Sequence, residues 1–198
     1  MVERALNPEG GLATNYQFLA RYNRWFNERL YAASERLSDA QRKHQQAAFF
    51  GSIHGTLGHI LWGDVLWLRR FAALTESSTA YAFPPELLEL PQADAATDAA
   101  LGVPPASAGR SPWADWQTLR IHRAALDEST LQWAATLTDA ACRRTMRYAN
   151  TSGVQREHPA WQAITHFFNH QTHHRGQVTT LLMQQGIDVG VTDLIALV

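Results

Sequence analysis

A helix turns about 100° per residue, and this rule constrains residues 161–183 more tightly than any other part of the chain. With His166 set at zero on a helical wheel, Ala163 and Leu181 fall at about 60°, Phe167 at about 100°, and Val178 at about 120°. Ile164 and Leu182 follow at about 160°, so the apolar face is centred at about 110°. Four of the nine histidines lie in this stretch. His174 falls at about 80° and His170 at about 40°, whereas His166 and His173 fall at about 0° and −20°. Two histidines therefore lean toward the core and two sit on its shoulder. The inward pair is spaced i,i+4, which lets two imidazoles on one helical face reach a single ion. Hydrogen-bonded core histidines would give the same pattern. Two histidines under-coordinate a divalent ion, whose catalytic sites normally combine three protein ligands with an open position. A metal reading needs a third ligand.

The rest of the chain supplies three more amphipathic helices. Tyr16, Leu19, Tyr22, Asn23, Phe26, Leu30, Ala33 and Leu37 repeat with helical period from about Thr14 to Leu37, with Thr14 as the expected N-cap. Ser38 and Asp39 start a short connection with a helical turn through Gln41–Gln46. A second helix runs from about Ser52 to Leu74 on Ile53, Leu57, Ile60, Leu61, Val65, Trp67 and Leu68, with His59 in its middle. Ser52, Gly55 and Gly63 lie within about 40° of His59 on that helix's own wheel. Glycine costs roughly 1 kcal/mol against alanine inside a helix. Gly55, Gly58 and Gly63 therefore imply a need for space, for close helix packing or for a pocket in front of His59.

Residues 75–112 change character, with Pro84-Pro85, Pro91 and Pro104-Pro105 around an Ala/Asp-rich run. That length exceeds an ordinary inter-helix connection and reads as a long cross-connection, either a functional cover or a partly mobile segment. Phe83, Leu87, Leu88 and Leu90 mark the part expected to pack down. Ser111 and Pro112 read as the cap and first-turn proline of a third helix, which extends through Trp116, Leu119, Leu126 and Trp133 to about Leu137. Thr145, Met146, Tyr148 and Val154 flank a turn at 150–153, which predicts a small β-hairpin. Pro159 opens the fourth helix and Gly186 stops it. Residues 187–198 are apolar enough to pack on the body or on a neighbour. The expected fold is all-α: a four-helix bundle with the 75–112 cross-connection and a hairpin before the last helix. A single domain is expected over residues 1–198.

Composition narrows the function. A chain of 198 residues, 45% hydrophobic with net charge −1, suits one soluble globular domain with a substantial core. It has no basic stripe to displace counterions, so nucleic acid is not an expected partner. The single cysteine, Cys142, excludes an intramolecular disulfide and a Cys-based zinc site, and reads as a small buried or half-exposed residue. No signal-peptide core and no run of about 18 apolar residues is present, so the expected location is cytoplasmic, with no membrane partner.

His59 on the second helix, set opposite His170 and His174 on the fourth, supplies the missing ligand. Three neutral imidazoles would hold a divalent ion and leave room for water or substrate. A ferritin-like carboxylate site fails on residue type, since the fourth helix has no acidic residue before Asp188. The zincin pattern His-Glu-x-x-His is absent as well: the tetrad reads His170-Gln-Thr-His-His174.

Four segments carry a resemblance. Tyr22-Asn-Arg-Trp-Phe-Asn-Glu-Arg-Leu30, Leu57-Gly-His59, Tyr148-x-Asn150 and His166-Phe-Phe-Asn-His170-Gln-Thr-His-His174-Arg-Gly-Gln177 resemble the DinB/YfiT-like family, over about residues 13 to 185. The resemblance implies an up-down-down-up four-helix bundle, homodimers, and nickel or zinc held by His59, His170 and His174. His166 and His173 would be hydrogen-bonding partners of the ligands or face solvent. Asn169, Arg175 and Gln177 would orient ligands or lie on the helix surface. For activity it implies a hydrolase or a thiol-dependent transferase acting on a small molecule, with a low-molecular-weight thiol as cosubstrate. The metal-bound water or thiolate would be the nucleophile, so Cys142 need not be. The alternative is a non-catalytic metal-binding stress-response protein or a structural dimeric bundle. In the metal-binding case His166 or His173 would close the coordination sphere.

Overall fold

The computed structural model describes residues 10–74, 113–150 and 153–198. The 75–112 cross-connection, with the Ser111-Pro112 start of the third helix, lies outside the described residues. Within them are six α-helices: α1 (Leu12–Glu35), α2 (Asp39–Lys43), α3 (Ile53–Phe71), α4 (Trp116–Thr136), α5 (Asp139–Arg143) and α6 (Ala160–Gln184). Strands β1 (Thr145–Ala149) and β2 (Gln155–Pro159) precede α6, and short 3-10 turns follow α3 at Ala72–Leu74 and α6 at Leu194–Leu197.

The helix starts show how local chemistry sets the ends. Thr14 is not the cap of α1. The helix begins at Leu12, directly after Gly11, with no side-chain cap of its own. Asp139, at the start of α5, instead accepts a hydrogen bond from the Ala13 amide at 2.9 Å. A Cβ on Gly11 would stand 2.2 Å from that carboxylate, so glycine is what permits the approach. A carboxylate there also complements the positive end of the helix dipole. Ser38 caps α2 reciprocally with Gln41, and Ser52 caps α3 through the Gly55 amide at 3.0 Å. Helix α4 starts later than the sequence pattern suggests, at Trp116. Its cap is Asp115, whose carboxylate accepts from the Thr118 amide at 2.7 Å. Trp113, fully buried, anchors the entry: its carbonyl accepts from His54 Nε2 at 2.7 Å and its indole donates to His122 Nδ1 at 2.9 Å. At the end of α6, Gly186 takes φ +73°, and the amides of Gly186 and Ile187 return to the Met183 and Leu182 carbonyls, both at 2.9 Å.

The four long helices meet in four pairs. Helix α1 runs antiparallel to α4, since Arg24 meets Glu128 at 3.4 Å while Glu35 meets Arg120 at 2.9 Å. It runs parallel to α6, with Tyr16 donating to the Trp161 carbonyl at 2.9 Å and Asn23 accepting from Arg175. Helix α3 runs parallel to α4, from Asp64–Arg123 to Phe71–Trp133. It runs antiparallel to α6, from His59–His174 to Trp67–His166. The centre of the core is aromatic: Phe71 stacks on Trp133 at 4.8 Å, and Phe167 meets both rings edge-on at 5.7 and 6.0 Å. Cys142 is fully buried.

The hairpin pairs Thr145 with Pro159 and Ala149 with Gln155, and Gly153 turns the chain at φ +76°. In the C-terminal segment Ile187, Val189 and Leu197 rest on the core, and Tyr22 donates to the Thr192 carbonyl at 2.7 Å. Val191, Ile195 and Val198 remain exposed.

The Asp139 contact makes a quantitative prediction. Asp139→Ala should lower the unfolding free energy by about 1 kcal/mol, the usual worth of a helix N-cap. It should appear as a lower urea midpoint at unchanged slope; an unchanged midpoint would show that Asp139 does not cap α1.

Candidate metal centre

Helix α3 presents His59 to α6, and α6 presents His170 and His174 one turn apart. The structure brings these three residues together. His59 Nε2 lies 3.0 Å from His170 Nε2 and 3.2 Å from His174 Nε2. One ring nitrogen from each falls within 4.8 Å of the other two. His59 and His174 are buried and His170 is half-buried, whereas His166 and His173 are exposed, as the wheel predicts. Of the other flagged residues, Asn169 is exposed, Gln177 is half-buried and touches the cluster, and Arg175 is buried.

The arrangement fits a divalent ion. Two nitrogens bonded to one ion at about 2.0–2.1 Å stand roughly 2.9 to 3.4 Å apart for octahedral to tetrahedral angles; the two separations from His59, 3.0 and 3.2 Å, fall in that interval, and all three nitrogens lie within 4.8 Å of one another. The protonation chemistry agrees. His174 Nδ1 lies 2.8 Å from Gln177 Oε1; a proton on Nδ1 would donate to that amide oxygen and leave the Nε2 lone pair for the cluster. Burial, joined by the neighbouring histidines His174, His59, His166 and His173, pushes His170 far below the ordinary histidine range. Burial also lowers His174, against the raising effect of the Gln177 hydrogen bond. Neutral imidazole is the form a metal takes. His170 Nδ1 is buried without a hydrogen-bond partner.

The glycines divide by role. A Cβ on Gly63 would stand 2.9 Å from His170 Cε1, so this glycine makes room for a cluster residue. Gly55 instead admits the Phe50 carbonyl, which a Cβ would meet at 2.3 Å, and a Cβ on Gly58 would meet nothing within 4 Å among the described residues. Phe50 has no counterpart in the sequence reading. Its ring stacks on His59 at 3.8 Å and meets His174 edge-on at 5.2 Å. Gly51, at φ +74°, helps fold the loop that places it.

The DinB family profile matches residues 12–197. The chain belongs to the DinB family. No curated protein and no solved structure gives a match.

Behind the histidines of this DinB chain lies a buried polar network that the sequence reading missed. Asp64 on α3 meets Arg123 on α4 at 2.5 Å, and Arg123 also meets Asp127 at 2.9 Å. Gln171 on α6 donates to Asp64 at 2.8 Å, and Asn27 and Asn23 on α1 donate to Asp127 at 2.9 and 3.3 Å. Arg175 on α6 donates to Asn23 and lies over the rings of Phe26 and Tyr22 at 4.7 and 5.3 Å. The signal was present in the sequence: Asp64 falls between Ile60, Leu61, Trp67 and Leu68, inside an apolar stripe where a charge implies a partner.

Gly63→Ala should displace His170 and lower metal retention. Gly58→Ala should leave retention intact and raise stability by about 0.5–1 kcal/mol from helix propensity alone. Metal content and denaturant melts of the two variants check this, and equal retention in both would remove the role assigned to Gly63.

The lowered histidines also set a pH dependence for the metal-free protein. Below the ordinary value of 6.5 the unfolded chain takes up protons that folded His170 and His174 still refuse. The unfolded state then binds more protons, so stability falls as pH drops through that window. Urea midpoints of metal-free protein across pH should show the fall, with a shallower slope in His170→Leu.

Proposed function

We propose that the chain is a divalent-metal-binding protein with His59, His170 and His174 as ligands. We further propose that it is a metal-dependent enzyme of the hydrolase or thiol-dependent transferase kind. The observation that carries this reading is the convergence of three imidazole nitrogens within 4.8 Å, with that of His59 at 3.0 and 3.2 Å from the other two. Among the described residues the group has three members, one fewer than a closed structural site uses. An all-imidazole set suits nickel and zinc, the metals proposed here. A bound ion would supply Lewis acidity, with an open position for a substrate or a low-molecular-weight thiol.

The chain's own residues do the rest. Gln177 Oε1 stands against His174 Nδ1, and Phe50 covers one face of His59 and limits water there. The proposed architecture is the up-down-down-up four-helix bundle in a single domain over 1–198, supported by the parallel and antiparallel pairings of α1, α3, α4 and α6. A homodimer and a cytoplasmic location belong to the same proposal. Among the described residues no helix is long and apolar enough to cross a membrane.

The test is metal content by inductively coupled plasma mass spectrometry on untagged protein beside His59→Ala and His170→Ala. Near-stoichiometric nickel or zinc in the wild type, lost in both variants, is expected. Protein that stays metal-free after reconstitution with either ion overturns the reading. In cobalt-substituted protein a small thiol should shift the visible bands, and an unchanged spectrum would remove the open position.

A further inference from the structure

Two side chains outside the ligand set form a line from His174 to the surface. Gln177 Oε1 lies 2.8 Å from His174 Nδ1, and Gln177 Nε2 lies 3.3 Å from His173 Nε2. The amide oxygen can only accept and the amide nitrogen can only donate, so the line has one polarity. His174 Nδ1–H donates to Gln177, and Gln177 donates to the Nε2 lone pair of His173. His174 then keeps its own Nε2 lone pair, directed at the cluster 3.2 Å from His59 Nε2. A reversed amide would place a donor against His174 Nδ1, move the proton to Nε2, and remove His174 from the ligand set. The two ends of an amide have nearly the same shape, so packing does not choose between these states. Hydrogen bonding to His174 and His173, the side-chain partners of Gln177 among the described residues, admits either orientation with the matching tautomers, and the observed orientation is the one that leaves His174 Nε2 free for an ion.

We propose that Gln177 is a positioning residue for metal binding that holds His174 in its Nδ1–H tautomer, and that His173 in turn holds the Gln177 amide in the required orientation. The proposal rests on the three-histidine reading and adds a reason for the two polar residues beside it. Both also line a cleft of about 490 Å³ with Phe49, Gly176 and Thr180, on the Nδ1 side of His174. The outer end of the line is therefore open to solvent, and among the described residues His173 is the side chain that meets the amide there. A metal-ligating histidine normally has its second nitrogen held by an oxygen acceptor, and loss of that partner weakens binding roughly 10–100-fold.

The test combines long-range proton–nitrogen correlation spectra of histidine-labelled, metal-free protein with chelator competition for zinc. In the wild type His174 should carry its proton on Nδ1. Gln177→Leu should mix the tautomers and weaken zinc binding roughly 10–100-fold at an unchanged melting temperature. Gln177→Glu can only accept, so it should keep the tautomer and rescue affinity. His173→Leu frees the amide to turn and should fall between Gln177→Leu and wild type. Wild-type zinc affinity in Gln177→Leu, or a proton on Nε2 in the metal-free wild type, overturns the proposal. A wild type that shows the Gln177-dependent tautomer but takes no metal would sink the three-histidine reading and leave the tautomer assignment standing. A wild type that binds zinc regardless of Gln177 does the reverse.

Discussion

Taking a charge out of water inside a helical core costs several kcal/mol per ion unless a partner of opposite sign meets it in good geometry. One network in this chain buries the carboxylates of Asp64 and Asp127 and the guanidiniums of Arg123 and Arg175, drawn from three of its long helices, with Asn23 and Asn27 from the fourth completing it. Each pairing fixes a register. If α3 slid along α4, Asp64 would leave Arg123; if α6 turned against α1, Arg175 would leave Asn23. The histidines share helices with these groups: His59 lies five residues before Asp64 on α3, and on α6 His170 precedes Gln171 and His174 precedes Arg175. The register that pairs the charges is thus the same register that sets the His59 nitrogen 3.0 and 3.2 Å from those of His170 and His174. Whether such a network adds net stability over apolar isosteres is a separate matter, since well-packed hydrophobic replacements often match buried ion pairs. Its clearer effect is on specificity, because every alternative register strands a charge.

Much of the site was legible because it depends on local periodicity. The wheel on residues 161–183 separates His170 and His174 from His166 and His173, and their observed burial follows that division. His59 was legible from its place in a glycine-rich apolar helix, although Gly63 rather than Gly58 makes the space. What was missed depends on tertiary contact. Asp64 is visible as a charge inside an apolar stripe, but nothing in its own helix names Arg123, 59 residues away, as its partner. Arg175 could be read as helix surface until the rings of Tyr22 and Phe26 are seen beneath it. The cap of α1 was assigned to Thr14 because caps are ordinarily local, whereas the acceptor, Asp139, lies 126 residues from the amide it binds. Phe50 belongs to a loop, where no periodicity exists to aim a side chain.

The two sides of the histidine cluster differ in a way that bears on what the site would hold. The interior side is the neutral-sum network, in which both Asp64 oxygens are already engaged, one by Arg123 and the other by Gln171. The outer side is aromatic, with Phe50 against His59 and His174. Among the described residues the metal-capable group contains no carboxylate. On the proposed reading, a divalent ion bound by three neutral imidazoles would keep its full positive charge in a partly buried place where Coulomb interactions are weakly screened. That charge is best met by an anionic ligand from outside the chain, and the one ordinarily vacant position of a three-ligand site is where it would bind. A carboxylate ligand from the protein would have spent part of that attraction internally. The choice of imidazole alone, together with an inner network that has no charge left to offer, therefore favours a small anion or a thiolate over a neutral molecule as the partner of the bound ion.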